Sequence, residues 1–239
     1  MVKKELIFDG NEKQVFSTSD HHKVIFRYKD VTLAYNGIKR AVFLGKGELD
    51  NKISSILLGE LNKHGVETHF IELLNEREQL CRKIEIIPLE LIVRNRIAGS
   101  LAERLGVREG LKPNEPVFDL RYNNDELGDP LINDHHALAL GLVSKDELKG
   151  MYATAERTNQ ILKAFCHKAG IELVDVKIEF GRASDNGHII ISDEISPDTC
   201  RLWDEATGNK LDKDRFRRDL SDVVASYREV LKRLSAIKE

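Results

Sequence analysis

Residues 173–181 read LVDVKIEFG, and in an extended strand successive side chains point to opposite faces. Val174, Val176, Ile178 and Phe180 therefore share one face, which is core. Asp175, Lys177 and Glu179 share the other, spaced about 6.6 Å apart by two residues of rise. After Gly181 comes RASDNGH, a hairpin signal, and then the β-branched run HIIISDEI. A turn centred on Asn186 sets Glu179 opposite Asp193. Facing carboxylates weaken a sheet unless something positive lies between them. A hard divalent cation suits such a pair, and Mg2+ fits because it is held by one or two carboxylates plus substrate phosphates. The alternative is a solvated strand face whose register differs by one or two residues.

A strand of this kind needs neighbours and cover. Upstream, LIF, QVF, VIFRY and VTLAY alternate with the turns Asp9-Gly10-Asn11, Lys29-Asp30 and Asn36-Gly37, which predicts an antiparallel meander over residues 6–47. Asp50 reads as the N-cap of a helix carrying Ile53, Ile56, Leu57 and Leu61 and stopped by Gly65. The strands THFIEL and LCRKIEII follow around the turn NERE, with Pro88 punctuating the second. LELIVRNRI alternates again, LAERLG is a short helix closed by Gly106, and residues 107–136 are dense in Gly, Pro, Asn and Asp and read as a long loop. Ser144 and Glu147 form a capping box ahead of a helix that ends at Gly170. From Asp212 a second long amphipathic helix places Phe216, Leu220, Val223, Tyr227, Val230 and Leu234 on one stripe. Both long helices are expected to cover a sheet. The result is an α+β chain in two lobes, a β-rich one over residues 1–85 and an α/β one over residues 86–239.

Three further segments carry chemistry. In PLELIVRNRIAGS, Glu90, Ile92, Arg94 and Arg96 share a strand face and Ser100 begins the next helix, so an arginine fork lies near exposed amides and a hydroxyl. Such a set is a phosphate site in chemical terms; arginines facing solvent are the alternative. In SPDTCRLWD, Arg201 either makes a second phosphate contact or stacks on Trp203. In the turn DGNEKQVF, Gly10 lets a backbone approach a ligand and Lys13 offers a point charge, although an ordinary hairpin explains it equally.

Composition narrows the partners. The 37 basic and 40 acidic residues are mixed along the chain, so no polybasic stripe points to nucleic acid or a membrane surface. No apolar run approaches the roughly 20 residues of a membrane span, and Met1-Val2-Lys3-Lys4-Glu5 leads into no signal-peptide core, so the expected location is cytoplasmic. Cys81, Cys166 and Cys200 lack CxxC spacing and read as reduced thiols rather than as zinc ligands or disulfides. The pairs His21-His22 and His135-His136 read as loop histidines.

IPLELIVRNRIAGS and LVDVKIEFG, with DEISPDTCRLWD and LDKDRFR in the same order, together resemble the SAICAR synthetase family over essentially the whole chain. The resemblance implies an ATP-grasp-like arrangement with ATP in an interlobe cleft. The implied reaction has ATP phosphorylate the carboxylate of carboxyaminoimidazole ribotide, after which the amine of L-aspartate attacks the acyl phosphate. By match to the family's motifs, Glu179 and Asp193 hold Mg2+, while Asp175 and Lys177 line the reaction centre as its catalytic residues. Glu90 meets the aminoimidazole ring, Arg94, Ser100 and Arg201 bind the ribotide phosphate, and Lys13, Val15 and Lys83 belong to the ATP side. Family habit adds a homodimer. The first turn departs from the family pattern, having Gly10-Asn11-Glu12-Lys13 where Gly-Lys-x-Lys is expected; Cys200 replaces a small hydroxyl residue and Asn36 an Asp. Two other classes compete: a small-molecule kinase, which would leave a stable phosphorylated product and no amide, and a nucleotide-binding module without turnover, motivated by the missing lysine at position 11.

Overall fold

The computed structural model describes residues 2–34 and 37–237, so the expectation for Asn36 lies outside the described residues. The architecture is mixed α+β with antiparallel sheets. The first sheet has the order β1-β2-β3-β7-β6, built from β1 (Lys3–Asp9), β2 (Lys13–Thr18), β3 (Lys23–Tyr28), β6 (Phe70–Leu73) and β7 (Glu78–Arg82). The predicted meander is right for three strands and wrong for the fourth. β4 (Val31–Ala34) leaves the sheet to pair with β5 (Lys39–Val42), and β7 takes the free edge of β3. The departure is anchored at Asp30, whose carboxylate accepts from Arg77 at 2.9 and 3.1 Å and from the Gly47 amide at 3.0 Å.

The second sheet follows after one residue, Lys83. β8 (Ile84–Arg94) and β11 (Ile171–Ala183) form its centre, with β9 (Val117–Tyr122) and β10 (Leu131–Ile132) beyond β8. Pro88 does not end a strand as expected. It sits within β8, where the pairing with β11 jumps from Ile87↔Phe180 to Glu90↔Glu179, an irregularity that tolerates a residue without an N–H. β9, β10 and the short helix α3 (Asp134–Ala139) occupy much of the stretch expected to be a loop, and His135 and His136 lie on α3.

Helices fill the space between and behind the sheets. α1 (Lys46–Lys63) packs on β3, β6 and β7 and against α4 and α6. Asp50 is not its cap: the helix starts one turn earlier, and Asp50 is buried inside it, 2.6 Å from the Lys46 ammonium. α2 (Ser100–Leu105) closes at Gly106 as the sequence predicts. α4 (Lys145–Lys168) opens on the Ser144–Glu147 capping box and covers β8 and β11. The last predicted helix is two, α5 (Asp214–Arg217) and α6 (Val223–Ser235), because Asp219 and Asp222 take left-handed backbones at φ 55° and 64° and break the run. α6 packs chiefly on α1 rather than on a sheet. Leu57, Leu61, Val93, Met151, Val176, Ile178, Phe180 and Tyr227 belong to one continuous core.

Candidate active site

β11 pairs with β8 on one side along its length, but its other side changes partner. Residues 171–176 pair with β13 (Cys200–Asp204), and residues 179–182 pair with β12 (Ile189–Ser192). Residues 193–199, which join those strands, leave the sheet where β11 carries Lys177, and the Lys177 amide donates to the Thr199 carbonyl at 2.9 Å. This split opens a cavity of about 210 Å³ lined by Glu90, Ile92, Arg94, Ser100, Arg121, Asp175, Lys177, Asp198, Thr199, Cys200, Arg201 and Arg217. Glu90, Arg94, Ser100, Asp175, Lys177 and Arg201, chosen from three separate segments, thus converge on one wall-to-wall space. Strand alternation is the cause: Glu90, Ile92 and Arg94 on β8 and Asp175 and Lys177 on β11 emerge on the same sheet face.

The arginines are held by carboxylates. Arg94 is 1% exposed; its Nε donates to Asp119 at 2.8 Å and one Nη to Asp175 at 2.9 Å. Arg201 donates to Asp175 at 2.7 Å and to Asp214 at 3.0 Å. Asp175 also accepts the Arg201 amide at 3.2 Å, so one carboxylate orients both guanidiniums. Trp203 carries Lys210 over its ring at 4.3 Å, whereas Arg201 lines the cavity. Arg96 lies apart from the cavity, bound to Glu172 at 2.7 Å. Gly99 permits the close fit of Arg201 to the start of α2: it has φ 53°, and a Cβ there would lie 2.8 Å from the Arg201 Cζ.

Lys177 extends from the cavity to a second group of charges. Its ammonium is 2.6 Å from Glu179 and 3.1 Å from Glu90. Burial works against that charge, but Glu179, Glu90 and Asp193 outweigh it and hold the ammonium well above its ordinary pKa. Burial, with Asp193 adding to it, pushes Glu179 up against the pull of Lys177. Asp193 goes down, because Lys13 and Lys177 overcome its burial. The expected register is off by one: Glu179 pairs with Ser192, and Asp193 lies beyond the strand end. Its left-handed backbone, φ 61°, turns the chain there, and Asp193 and Glu179 still act on one another. Lys13 at the start of β2 bridges Asp193 and Glu194. Val15, half-buried in mid-β2, and Lys83, exposed between the two sheets, do not line the cavity.

Sequence reasoning missed several members of this neighbourhood. Glu12, Glu194 and Asp198 bring carboxylate oxygens within 4.8 Å of one another, each matched by a lysine: Lys213 at 2.8 Å from Glu12, Lys13 on Glu194 and Lys46 on Asp198. Tyr227 donates to Asp198 at 2.5 Å, tying α6 to the same loop. Glu194 and Asp198 stood in the quoted string DEISPDTCRLWD, but nothing in their spacing revealed partners on β2 and α1. His69, in THFIEL, read only as a strand residue and is fully buried beside this group.

Comparison with known proteins supplies the family. A family model described as SAICAR synthetase matches residues 6–234. A Clostridium botulinum strain Hall protein named phosphoribosylaminoimidazole-succinocarboxamide synthase is 54% identical over 235 residues, covering 98% of this chain and 100% of the relative. The crystal structure of phosphoribosylaminoimidazole-succinocarboxamide synthase from Ehrlichia chaffeensis superposes with TM-score 0.95 at 42% identity, covering 98% of this chain and 100% of the other. A SAICAR synthetase (Type-2) in complex with ADP gives TM-score 0.93 at 43% identity, covering 98% and 99%. With full-length matches in sequence and in backbone, and the four ordered motifs gathered around one cavity, the chain belongs to the SAICAR synthetase family.

Proposed function

We propose that the chain is an ATP-dependent carbon–nitrogen ligase of purine biosynthesis, joining L-aspartate to the carboxylate of carboxyaminoimidazole ribotide with release of ADP and phosphate. The observation that carries this reading is the cavity itself, where anion-binding arginines and a lysine held in its charged form meet on one sheet face. The two sheets, parted at Lys83, are read as two lobes divided near Glu85 in an ATP-grasp-like manner, with nucleotide between them and Lys13, Val15 and Lys83 on its side. The enzyme is taken to act in the cytoplasm as a homodimer.

The chemistry follows from the charges. A carboxylate is a poor acyl donor until one oxygen becomes a phosphate leaving group, and the charge shifted in that transfer must be met by fixed positive groups. Lys177, kept cationic by Glu179 and Glu90, stabilises charge rather than accepting a proton. Glu90 lies at the cavity wall where it can accept from the ring amine of the ribotide. Arg94, Arg201 and Ser100 offer N–H and O–H donors to the ribotide phosphate. Asp175 has its oxygens filled by Arg94 and Arg201, which makes it the residue that positions them. Glu179 and Asp193 supply hard oxygen donors beside a group already attractive to cations, since Lys13 bridges Asp193 and Glu194, and this donor set fits Mg2+. Bound there, Mg2+ would neutralise charge on the transferring phosphoryl group.

The test is ADP release followed with each substrate omitted in turn. The expected result is Mg2+-dependent release that needs both the ribotide and aspartate, with amide formed in equal amount. ADP release at the same rate without aspartate would refute the ligase assignment, and a stable phosphorylated product seen by phosphorus NMR would favour a kinase.

A further inference from the structure

His69 lies at the seam of the two sheets. Its amide donates to the Ile191 carbonyl at 2.8 Å and its carbonyl accepts from the Arg82 amide at 2.7 Å, so it ties β12, two residues ahead of Asp193, to β7. The ring packs edge-on against Phe26, centroids 5.1 Å apart, and is wholly buried. Among the described residues neither ring nitrogen has a hydrogen-bond partner. A buried imidazole with nothing to bond carries an uncompensated desolvation cost that an apolar side chain of similar size would avoid. The charges acting on it are those of Asp193 and Lys13, and burial brings its pKa down to about 4. The ring is therefore neutral, with one N–H to give.

Lys13 now bridges Asp193 and Glu194. Two of its three N–H donors are taken by those carboxylates, so the phosphates of a nucleotide compete with Asp193 and Glu194 for the same ammonium. We propose that His69 is the positioning residue for Asp193: when Lys13 is drawn to phosphate, the imidazole N–H donates to the Asp193 carboxylate and fixes its orientation toward Mg2+. The orphaned ring is then a contact held in reserve for the loaded state. This rests on the assignment of Asp193 as a Mg2+ ligand.

The experiment is calorimetric titration of ADP, with and without Mg2+, into the wild-type chain and the His69→Leu and His69→Gln variants, with thermal melting of each. His69→Leu is expected to lose about tenfold of the Mg2+-dependent gain in ADP affinity, the lower end for removing a group that orients a metal ligand. Its Mg2+-free ADP affinity should stay within about twofold and its melting temperature should not fall, since an unpartnered polar ring is gone. His69→Gln, which keeps an N–H donor, should recover most of the gain. His69→Phe gives the same test should the leucine variant fold poorly. An unchanged Mg2+-dependent gain in the apolar variants overturns the proposal. So does an equal loss with and without Mg2+ accompanied by a lower melting temperature, which marks a packing residue only. A wild-type chain whose ADP affinity ignores Mg2+ removes the Asp193 assignment, and this proposal with it.

Discussion

Replacing Gly99 by alanine tests the proposed anchoring of the ribotide phosphate by Arg201. Gly99 has φ 53° and ψ −135°, a conformation that strains any residue with a Cβ by about 1–3 kcal/mol. The new methyl would also overlap the Arg201 guanidinium, whose Cζ would be 2.8 Å away. Arg201 has little room to yield, being tied to Asp175 at 2.7 Å and to Asp214 at 3.0 Å. If Arg201 binds the ribotide phosphate as proposed, shifting it forfeits at least one charge-assisted hydrogen bond, worth about 1.5–3 kcal/mol. That corresponds to roughly 10- to 150-fold in affinity. The assay is calorimetric binding of the ribotide and of the corresponding riboside, which lacks the phosphate, alongside KM for ATP. Gly99→Ala should weaken the ribotide by that factor and leave the riboside and the ATP KM nearly unchanged. Its melting temperature should fall by roughly 2–4 °C per kcal/mol of strain. Ribotide affinity within about twofold of wild type, or an equal loss for the riboside, would refute the reasoning.

Other outcomes follow from the same contacts. Arg94→Met removes a buried cation from between Asp119 and Asp175; each keeps one guanidinium, from Arg104 and Arg201, so urea unfolding should show a loss of about 3 kcal/mol, the lower end for breaking a buried pair. A loss under about 1 kcal/mol would mean that this lattice does not hold the sheet. The Arg182 contact and the Ser144 amide hold Glu147 down to about 2 from 4.5, so its stabilisation is present above pH 4.5 and is lost as pH falls through 2. Solvent limits it to about 1 kcal/mol, hence Glu147→Gln should be less stable by that amount at pH 7 and equal to wild type near pH 2 in denaturant titrations. Burial pushes the thiols of Cys81 and Cys200 well above the ordinary range and that of Cys166 up to about 12. Ellman's reagent at pH 8 should therefore label none of them until the chain unfolds; rapid native labelling of Cys200, which lines the cavity, would contradict this.

Much of the fold was legible where local chemistry and tertiary packing agree. The Ser144–Glu147 box placed α4 because its hydrogen bonds are within four residues, and the polarity alternation of β8 and β11 placed Glu90, Arg94, Asp175 and Lys177 on one face. The hairpin register slipped by one because residues 184–187 make a four-residue loop, whose centre falls between Asp185 and Asn186 rather than on a residue. Asp193 regained its place near Glu179 only through a backbone conformation that asparagine-like side chains tolerate and no pattern announces. The helix from Asp212 misread Leu220, which is 42% exposed in the break between α5 and α6, because periodicity continues across an interruption that backbone sign alone reveals. β9 was hidden among prolines and glycines, and Asp50 looked like a cap because its real partner, Lys46, lies one turn before it. The expected fork of Arg94 and Arg96 came apart, Arg94 into a buried lattice and Arg96 onto Glu172, because the counter-charges Asp119, Asp175 and Glu172 come from other segments of the chain.

That lattice bears on how an anion is chosen. Arg94 and Arg201 reach the cavity already paired with Asp119, Asp175 and Asp214, so the charge of these two guanidiniums is offset before any ligand arrives. An incoming phosphate gains directed N–H donors in fixed positions but little long-range attraction. Recognition then depends on shape and bond angle more than on bulk charge, so inorganic anions gain no advantage from valence alone, and rising ionic strength has little field to screen.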